Sequence, residues 1–389
     1  MRTFERTHPW LTFRLDLRRA GHRFWMLLGE AQSKCEHIAA VPLRRATAEA
    51  VHTLYLAKGA SATTAIEGNT LTEEQVLQHL EGRLHLPPSQ SYLAQEVDNI
   101  VAACSSILSD LAKGRGLVFT PRRIKDLNRL VLKDLELPRH VTPGRVRTDS
   151  VVVAGYRGAP AEDCEHLLSR LCDWLDGERF LAGQGMEIPD GILKAIAAHV
   201  YIALIHPFGD GNGRTARLIE YQILVESGVP SAAGHLLSNH YNQTRHDYYK
   251  HLDRAGKSGG SLLPFMEYAV AGFVEGLKEQ LEYIRQQQWD IAWRNFVDEH
   301  FRDRNSKGDV RRKHLVLDLS RSTSPVRAAA IPELTPRLAL AYAKTSAKTL
   351  QRDTKALEDE GLIVRTDEGI RANREIILAF LPFRREREG

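Results

Sequence analysis

Apolar residues recur every three or four positions from Phe24 to about Asp110, which predicts amphipathic helices over most of that stretch. The first clear break falls at Gly68-Asn69. Leu71-Thr72-Glu73-Glu74 then restarts a helix, with Asn69 or Thr70 available to cap it. A second strong amphipathic run covers 91–114 and closes at Gly114. Ahead of Phe24 the pattern differs. Trp10, Leu11, Phe13, Leu15 and Leu17 nearly alternate with polar residues, which suits a short strand. Thr120-Pro121 offers a cap and a first-turn proline for a helix over 122–135. From Val146 to Pro160 the texture changes to β-branched residues, glycines and a turn-like end, predicting a short hairpin. Helices resume at Glu162 and run, with interruptions, to about Phe296.

A charged, weakly periodic stretch places a domain boundary near 296–310. Beyond it, helical segments at 311–319, 326–330, 335–342 and 346–361 lead into two short strands around a polar turn, Leu362 to Ala372. Helices followed by a β-wing are the pattern of a winged helix-turn-helix. In this register Thr345 or Ser346 caps the last helix and Gly361 ends it. Ala347, Leu350, Thr354 and Leu357 form a mostly apolar stripe, leaving Lys348, Arg352 and Lys355 outward. Those three could meet DNA, but Glu358-Asp359-Glu360 opposes a phosphate backbone. A protein-docking or dimerising role is the stronger expectation.

Composition narrows the class without naming a function. The 389 residues suffice for two or three domains. With 43% hydrophobic and 26% charged residues, the chain reads as a soluble globular protein. No run of 18 uninterrupted apolar residues appears, and the first 24 residues lack a signal-peptide core, so no membrane contact and a cytoplasmic location are expected. Cys35, Cys104, Cys164 and Cys172 are far apart with no CxxC pairing, which favours buried thiols over disulfides or a zinc site. The net charge of +4 is uneven: residues 300–389 hold 19 Lys+Arg against 13 Asp+Glu, the rest 34 against 36. A basic C-terminal part hints weakly at a polyanion.

The chemistry concentrates in one run. An apolar helix, Ile192 to Ile205, leads into His206-Pro207-Phe208, then Gly209-Asp210-Gly211-Asn212-Gly213, then a second helix from Arg214 to about Glu226. Three glycines and an asparagine in five positions allow positive φ and turn successive N–H groups inward. Such a nest at a helix start binds phosphate oxygens. Arg214 and Arg217, three apart, share a helix face and can grip phosphates through forked hydrogen bonds. Asp210 is a hard oxygen ligand suited to Mg²⁺. His206 can take a proton from an incoming hydroxyl near pH 7. Two metal ligands in His206 and Asp210 are a competing reading, though no third ligand stands at suitable spacing.

The run resembles the HxFx(D/E)GNGRxxR motif of the Fic (filamentation induced by cAMP) family, with His206, Phe208, Asp210, Gly211, Asn212, Gly213, Arg214 and Arg217 in its fixed places. That resemblance implies a mainly all-α fold: a Fic helical core with a short β-hairpin flap, plus the small C-terminal winged helix-turn-helix domain. The implied division is 1–115 as an N-terminal helical region, 116–296 as the Fic core and 300–389 as the winged-helix domain. It implies protein adenylyltransferase activity, moving AMP from ATP to a Ser, Thr or Tyr hydroxyl of a protein target, the chain itself included. His206 would be the base, Asp210 would hold Mg²⁺, and Asn212 with the glycine amides of Gly211 and Gly213 would line the anion hole. Arg214 and Arg217 would hold the β- and γ-phosphates, and buried Phe208 would anchor the loop. The hairpin at 146–156 resembles the flap that pairs with the target's backbone. The segment His240 to Leu252 resembles the one closing over adenine, so Tyr248 or Tyr249 would touch the base.

Upstream, Thr63-Thr64-Ala65-Ile66-Glu67-Gly68 resembles the (S/T)xxxE(G/N) inhibitory helix of the same family, here about 55–68. By that resemblance Glu67 pairs with Arg217 and misaligns ATP, with Thr63 and Gly68 in the other defining places. Family members also use this glutamate to orient a water that removes AMP, and some transfer UMP, phosphocholine or phosphate instead. A Fic-based ligand-sensing transcription regulator is the reading from outside enzymology. A homodimer is a family habit.

Overall fold

The computed structural model describes residues 2–115, 119–153, 156–177, 180, 183–257 and 259–378. It divides into two compact units, Met1–Glu282 and Tyr283–Gly389.

The first unit is helical. A single turn, α1 (Thr3–Thr7), precedes α2 (His22–Ala40), α3 (Arg45–Ala65), α4 (Glu73–Leu80), α5 (Ser91–Ala112) and α6 (Pro121–Val131). The hairpin β1 (Val152–Val153) and β2 (Tyr156–Arg157) follows. Then come α7 (Ala161–Leu175), α8 (Glu187–Ile205), α9 (Asn212–Glu226), α10 (Leu236–Gln243), α11 (Arg245–Ala255) and the long α12 (Leu263–His300). The caps explain several starts. Thr120 accepts from the Arg123 amide with Pro121 in the first turn, as expected. The start of α4 differs: Thr72, not Asn69 or Thr70, closes a reciprocal capping box with Gln75. Asn69 instead turns the chain ahead of it, its Oδ1 accepting from the Leu71 amide.

Helix α8 is the axis of this unit. It is long and apolar enough to cross a membrane by composition, but 78% of that window is buried inside the fold. Ile192, Ile196, Val200 and Tyr201 are fully enclosed, and α9 packs along it. All four cysteines are buried and free. The expected N-terminal strand is not one. Leu11, Phe13, Leu15 and Leu17 are buried in alternation, but the segment finds no strand partner among the described residues, and Phe13 takes a positive φ of 49°, which breaks an extended backbone. Helix α6 stops at Val131 rather than 135, and Asp134 takes a positive φ of 56° just beyond.

The second unit begins inside α12, so the boundary lies at Glu282/Tyr283 and not at 296–310. The reason is packing: Trp293, Val297 and Phe301 belong to the core of that unit, with Leu315, Leu319, Ile331, Leu338 and Leu357. Its other elements are α13 (Lys307–Leu319), α14 (Pro336–Tyr342), α15 (Ala347–Asp359) and an antiparallel hairpin, β3 (Ile363–Thr366) with β4 (Gly369–Ala372). Ser346 is the N-cap residue of α15, and Gly361 takes φ 72° after it. Leu357 and Thr354 are buried and Leu350 is half-buried, but Ala347 is exposed in the first turn. Lys348, Arg352 and Lys355 are exposed. The last part of the expected winged-helix domain, 379–389, lies outside the described residues, as does the 154–155 tip of the expected flap.

Candidate functional site

Helix α8 ends at His206, which takes the left-handed conformation (φ 52°, ψ 60°). A non-glycine residue there is strained and needs surrounding contacts to hold it. The segment before and after the hairpin supplies them by satisfying the carbonyls a helix end leaves free. Ala159 N donates to Ile205 O at 3.1 Å, and Arg147 N to Pro207 O at 3.0 Å. Buried Arg147 also donates through Nε to His206 O at 2.7 Å and through Nη2 to Ala159 O. Tyr156 Oη donates to Leu204 O at 2.9 Å. The imidazole is thereby fixed facing a cavity lined by Glu67, Tyr156, Ala203, Leu204, Gly213, Tyr248, Tyr249, Leu252 and Asp253. Burial, with the nearby Arg147 charge, pushes the His206 pKa down to about 4, against opposing help from the Ala203 backbone, Glu67 and Asp210. The ring is a neutral base at physiological pH.

The turn after His206 is narrower than its composition suggests. Only Gly211 among its glycines takes positive φ (75°). Helix α9 begins at Asn212, two residues earlier than expected, so Gly213 is already helical. First-turn amides of that helix have no intrahelical acceptor and face an anion site. Phe208 is 1% exposed and anchors the loop. Asn212, expected in the anion hole, also serves the loop. Its Oδ1 accepts from Phe208 N and its Nδ2 donates to Phe208 O, both at 2.9 Å. These two bonds hold the side chain against the Phe208 backbone, and its own backbone amide stands in the first turn of α9.

The two arginines are buried and each meets a glutamate. Arg217, 2% exposed, donates through Nη2 to Glu67 Oε1 at 2.6 Å and to Thr63 O at 2.9 Å. Its Nε and Nη1 are buried without a partner among the described residues. Glu67 lies in the turn after α3, where its amide bonds to Thr64 O, and Gly68 takes φ 105°. A Cβ added at Gly213 would sit 2.1 Å from Glu67 Oε1, so the carboxylate lies directly over the start of α9, where a phosphate would go. Burial opposes its ionisation, but Arg217's charge and hydrogen bond, with Arg214 and His206, hold its pKa below the usual range. Arg214 donates to Glu96 Oε1 at 2.9 Å and to Asp210 Oδ1 at 3.2 Å. Asn69 Nδ2 donates to the other Glu96 oxygen at 2.8 Å, tying this pair to the Glu67 turn.

Asp210 is part-exposed, and among the described residues its Oδ2 has no partner, which fits a cation that keeps most of its waters. No group of three His, Cys, Asp or Glu side chains stands at metal-binding distance among the described residues. Both expected tyrosines line the cavity. Tyr248 is 3% exposed with Oη 3.0 Å from His199 Nε2, while Tyr249 is 43% exposed. The flap hairpin pairs Val152 with Arg157 and Val153 with Tyr156, and Val146 bridges to Phe208. Sequence reasoning missed Glu96 and Arg147. Neither carries a local signal, since their partners lie 118 and 59 residues away.

The site joins a neutral imidazole at a core-helix end, a glycine turn and a helix N-terminus that carries two buried arginines. Residues 118–224 match the Fic/DOC family. The chain is 32% identical over 208 residues to "Protein adenylyltransferase fic-1" of Caenorhabditis briggsae, covering 54% of this chain and 38% of that one. It is 31% identical over 211 residues to "Protein adenylyltransferase Fic" of Nematostella vectensis, covering 54% and 44%. The match thus spans less than half the length of these curated relatives. Among solved structures, Fic-1 (residues 134–508) of Caenorhabditis elegans superposes with a TM-score of 0.55 at 27% identity, over 68% of this chain and 73% of that one. A Fic family protein of Desulfovibrio desulfuricans shares the fold, with a TM-score of 0.53 at 19% identity over 90% and 92%.

Proposed function

We propose that the protein is an adenylyltransferase that moves AMP from ATP to a hydroxyl of a protein and is held back by its own Glu67. The observation carrying this reading is the Glu67 carboxylate on Arg217, directly over the start of α9 and beside the neutral His206. With Glu67 displaced, the α9 amides and Arg217 are free to take the β- and γ-phosphates beside Arg214, which Glu96 and Asp210 already orient, and the apolar cavity between Leu252, Tyr248 and Tyr249 takes the base. The acceptor oxygen forms a bond to the α-phosphorus, the bond to the β-phosphate oxygen breaks, and pyrophosphate leaves. His206 receives the hydroxyl proton. Asp210 would hold Mg²⁺, which when bound neutralises phosphate charge. The relatives named protein adenylyltransferase support the same reaction.

The test is to incubate wild type, Glu67→Gly and Glu67→Gly/His206→Ala with Mg²⁺ and α-labelled ATP, and to read label on the protein and on a bacterial lysate. Strong label from Glu67→Gly alone supports both transfer and brake. Equal label from wild type removes the brake. Silence with every nucleotide removes the transferase. Removal of AMP by the wild type is the second reading, favoured by Glu67 lining the same cavity as His206 and able to hold a water there. Four buried, free thiols support a reducing, cytoplasmic setting. The exposed Lys348, Arg352 and Lys355 suit a DNA contact by a winged-helix-like C-terminal unit, while the exposed Glu358 and Asp359 beside them favour protein docking.

A further inference from the structure

We infer that the N-terminal segment is a strap that sets the flap for the acceptor protein, making His8 and Trp10 positioning residues; this rests on the transferase reading above.

The flap hairpin has two residues in each strand, too few to hold itself in water. It is held from outside. His8 is 3% exposed, and its Nε2 lies 2.9 Å from Arg157 O; a carbonyl only accepts, so that nitrogen carries the proton. Trp10 Nε1 donates to Tyr156 Oη at 3.2 Å, and Tyr156 Oη donates in turn to Leu204 O, two residues before His206. The His8 and Trp10 rings pack 5.1 Å apart. The segment is itself pinned at its start. Phe4 is buried, its amide donates to Asp163 Oδ2 at 2.8 Å, and Arg2 pairs with Asp163 Oδ1 at 3.1 Å.

The register shows what the strap covers and what it leaves. Gly158 N donates to Val151 O, so Val152 and Arg157 are the next, outward-facing pair of the ladder. His8 takes the outward carbonyl of Arg157 and blocks that edge. On the opposite edge Val152 is 61% exposed and its backbone is open to pairing with an incoming strand. A groove lined by Thr7, Trp10, Ser150, Arg157, Asp253 and Lys257 adjoins the nucleotide cavity, with which it shares Tyr156 and Asp253. The strap therefore fixes the strand that aims an acceptor hydroxyl, while touching none of the phosphate-binding residues.

The test uses full-length Glu67→Gly protein as parent, with His8→Ala, Trp10→Phe and His8→Gln added singly. The glutamine Nε2 can replace the imidazole donor to Arg157 O. Three quantities are measured: ATP affinity, the ratio of AMP placed on lysate proteins to AMP released to water, and hydrogen exchange across 150–158. For His8→Ala we expect unchanged ATP affinity, about tenfold or greater loss in the protein-to-water ratio, and faster exchange of the hairpin amides. His8→Gln restores both, and Trp10→Phe falls between. An unchanged ratio in an active parent, or unchanged exchange, overturns the strap. A parent that yields neither labelled protein nor AMP defeats the transferase reading instead, and the exchange result still decides whether the strap holds the flap.

Discussion

Arg214 is held between two carboxylates, Glu96 from α5 at 2.9 Å and Asp210 from its own loop at 3.2 Å. Its guanidinium is 5% exposed, so its charge needs both partners when no phosphate is present. Glu96→Ala leaves Asp210 alone to meet it. The expected cost is about 1–3 kcal/mol in chemical denaturation. In the Glu67→Gly background, AMP transfer should also fall about tenfold or more, because the arginine loses its fixed direction. Glu96→Gln keeps one acceptor and should lie between. Wild-type stability and transfer in Glu96→Ala would show that Asp210 suffices.

Releasing Glu67 and removing its partner have opposite outcomes. Glu67→Gly clears the α9 start and leaves Arg217 free for phosphate, so label transfer from α-labelled ATP should rise about tenfold or more. Arg217→Ala also breaks the pair, yet it removes a phosphate ligand, so no rise is expected. A rise in Arg217→Ala equal to that in Glu67→Gly would mean that Arg217 serves only the brake.

How much of this was readable depends on how local each cause is. Glu67, His206, Phe208 and Arg217 stand in short runs, and the structure puts Glu67 and His206 on one cavity, Arg217 on Glu67 and Phe208 buried beneath the loop. Thr120-Pro121 and Gly114 mark helix ends because caps act over three or four residues. Asn212 was legible as a loop residue, but whether its side chain faces a ligand or Phe208 is decided by three-dimensional closure of the turn. Glu96 and Arg147 act across long separations and leave no trace in periodicity. The unit boundary was hidden for a related reason: α12 continues through it, and helical spacing does not show which core Trp293 joins.

The pH dependence follows from two depressed pKa values of opposite kind. His206 binds its proton near 6.5 when unfolded and only near 4 when folded, so lowering pH through that window favours the unfolded chain. In Glu67→Gly the raising influence of Glu67 is gone, which moves the folded value lower still. The rate of AMP transfer should therefore show no acid limb between pH 8 and about 5.5. Glu67 is a carboxylate held below its usual value; its contribution is present above 4.5 and is lost only as pH falls through the lower folded value. Wild type should stay braked over the same range. An inflection near 6.5 in the pH–rate profile would show an accessible, ordinary imidazole.

Asn212 separates a structural from a ligand-binding role in the loop. Both its amide atoms are used on Phe208, whose ring is 1% exposed. Asn212→Ala leaves a buried N–H and a buried C=O without partners, at an expected cost of about 2 kcal/mol or more. Asn212→Asp keeps the acceptor but sets a buried carboxylate oxygen against Phe208 O, so it should cost at least as much. Denaturant midpoints and ATP titration on Glu67→Gly protein carrying each change distinguish the roles. A loop role predicts that stability falls in both variants and that ATP affinity falls with it. If stability is unchanged and affinity alone collapses, the side chain must leave Phe208 and turn to the nucleotide once Glu67 is out of the way.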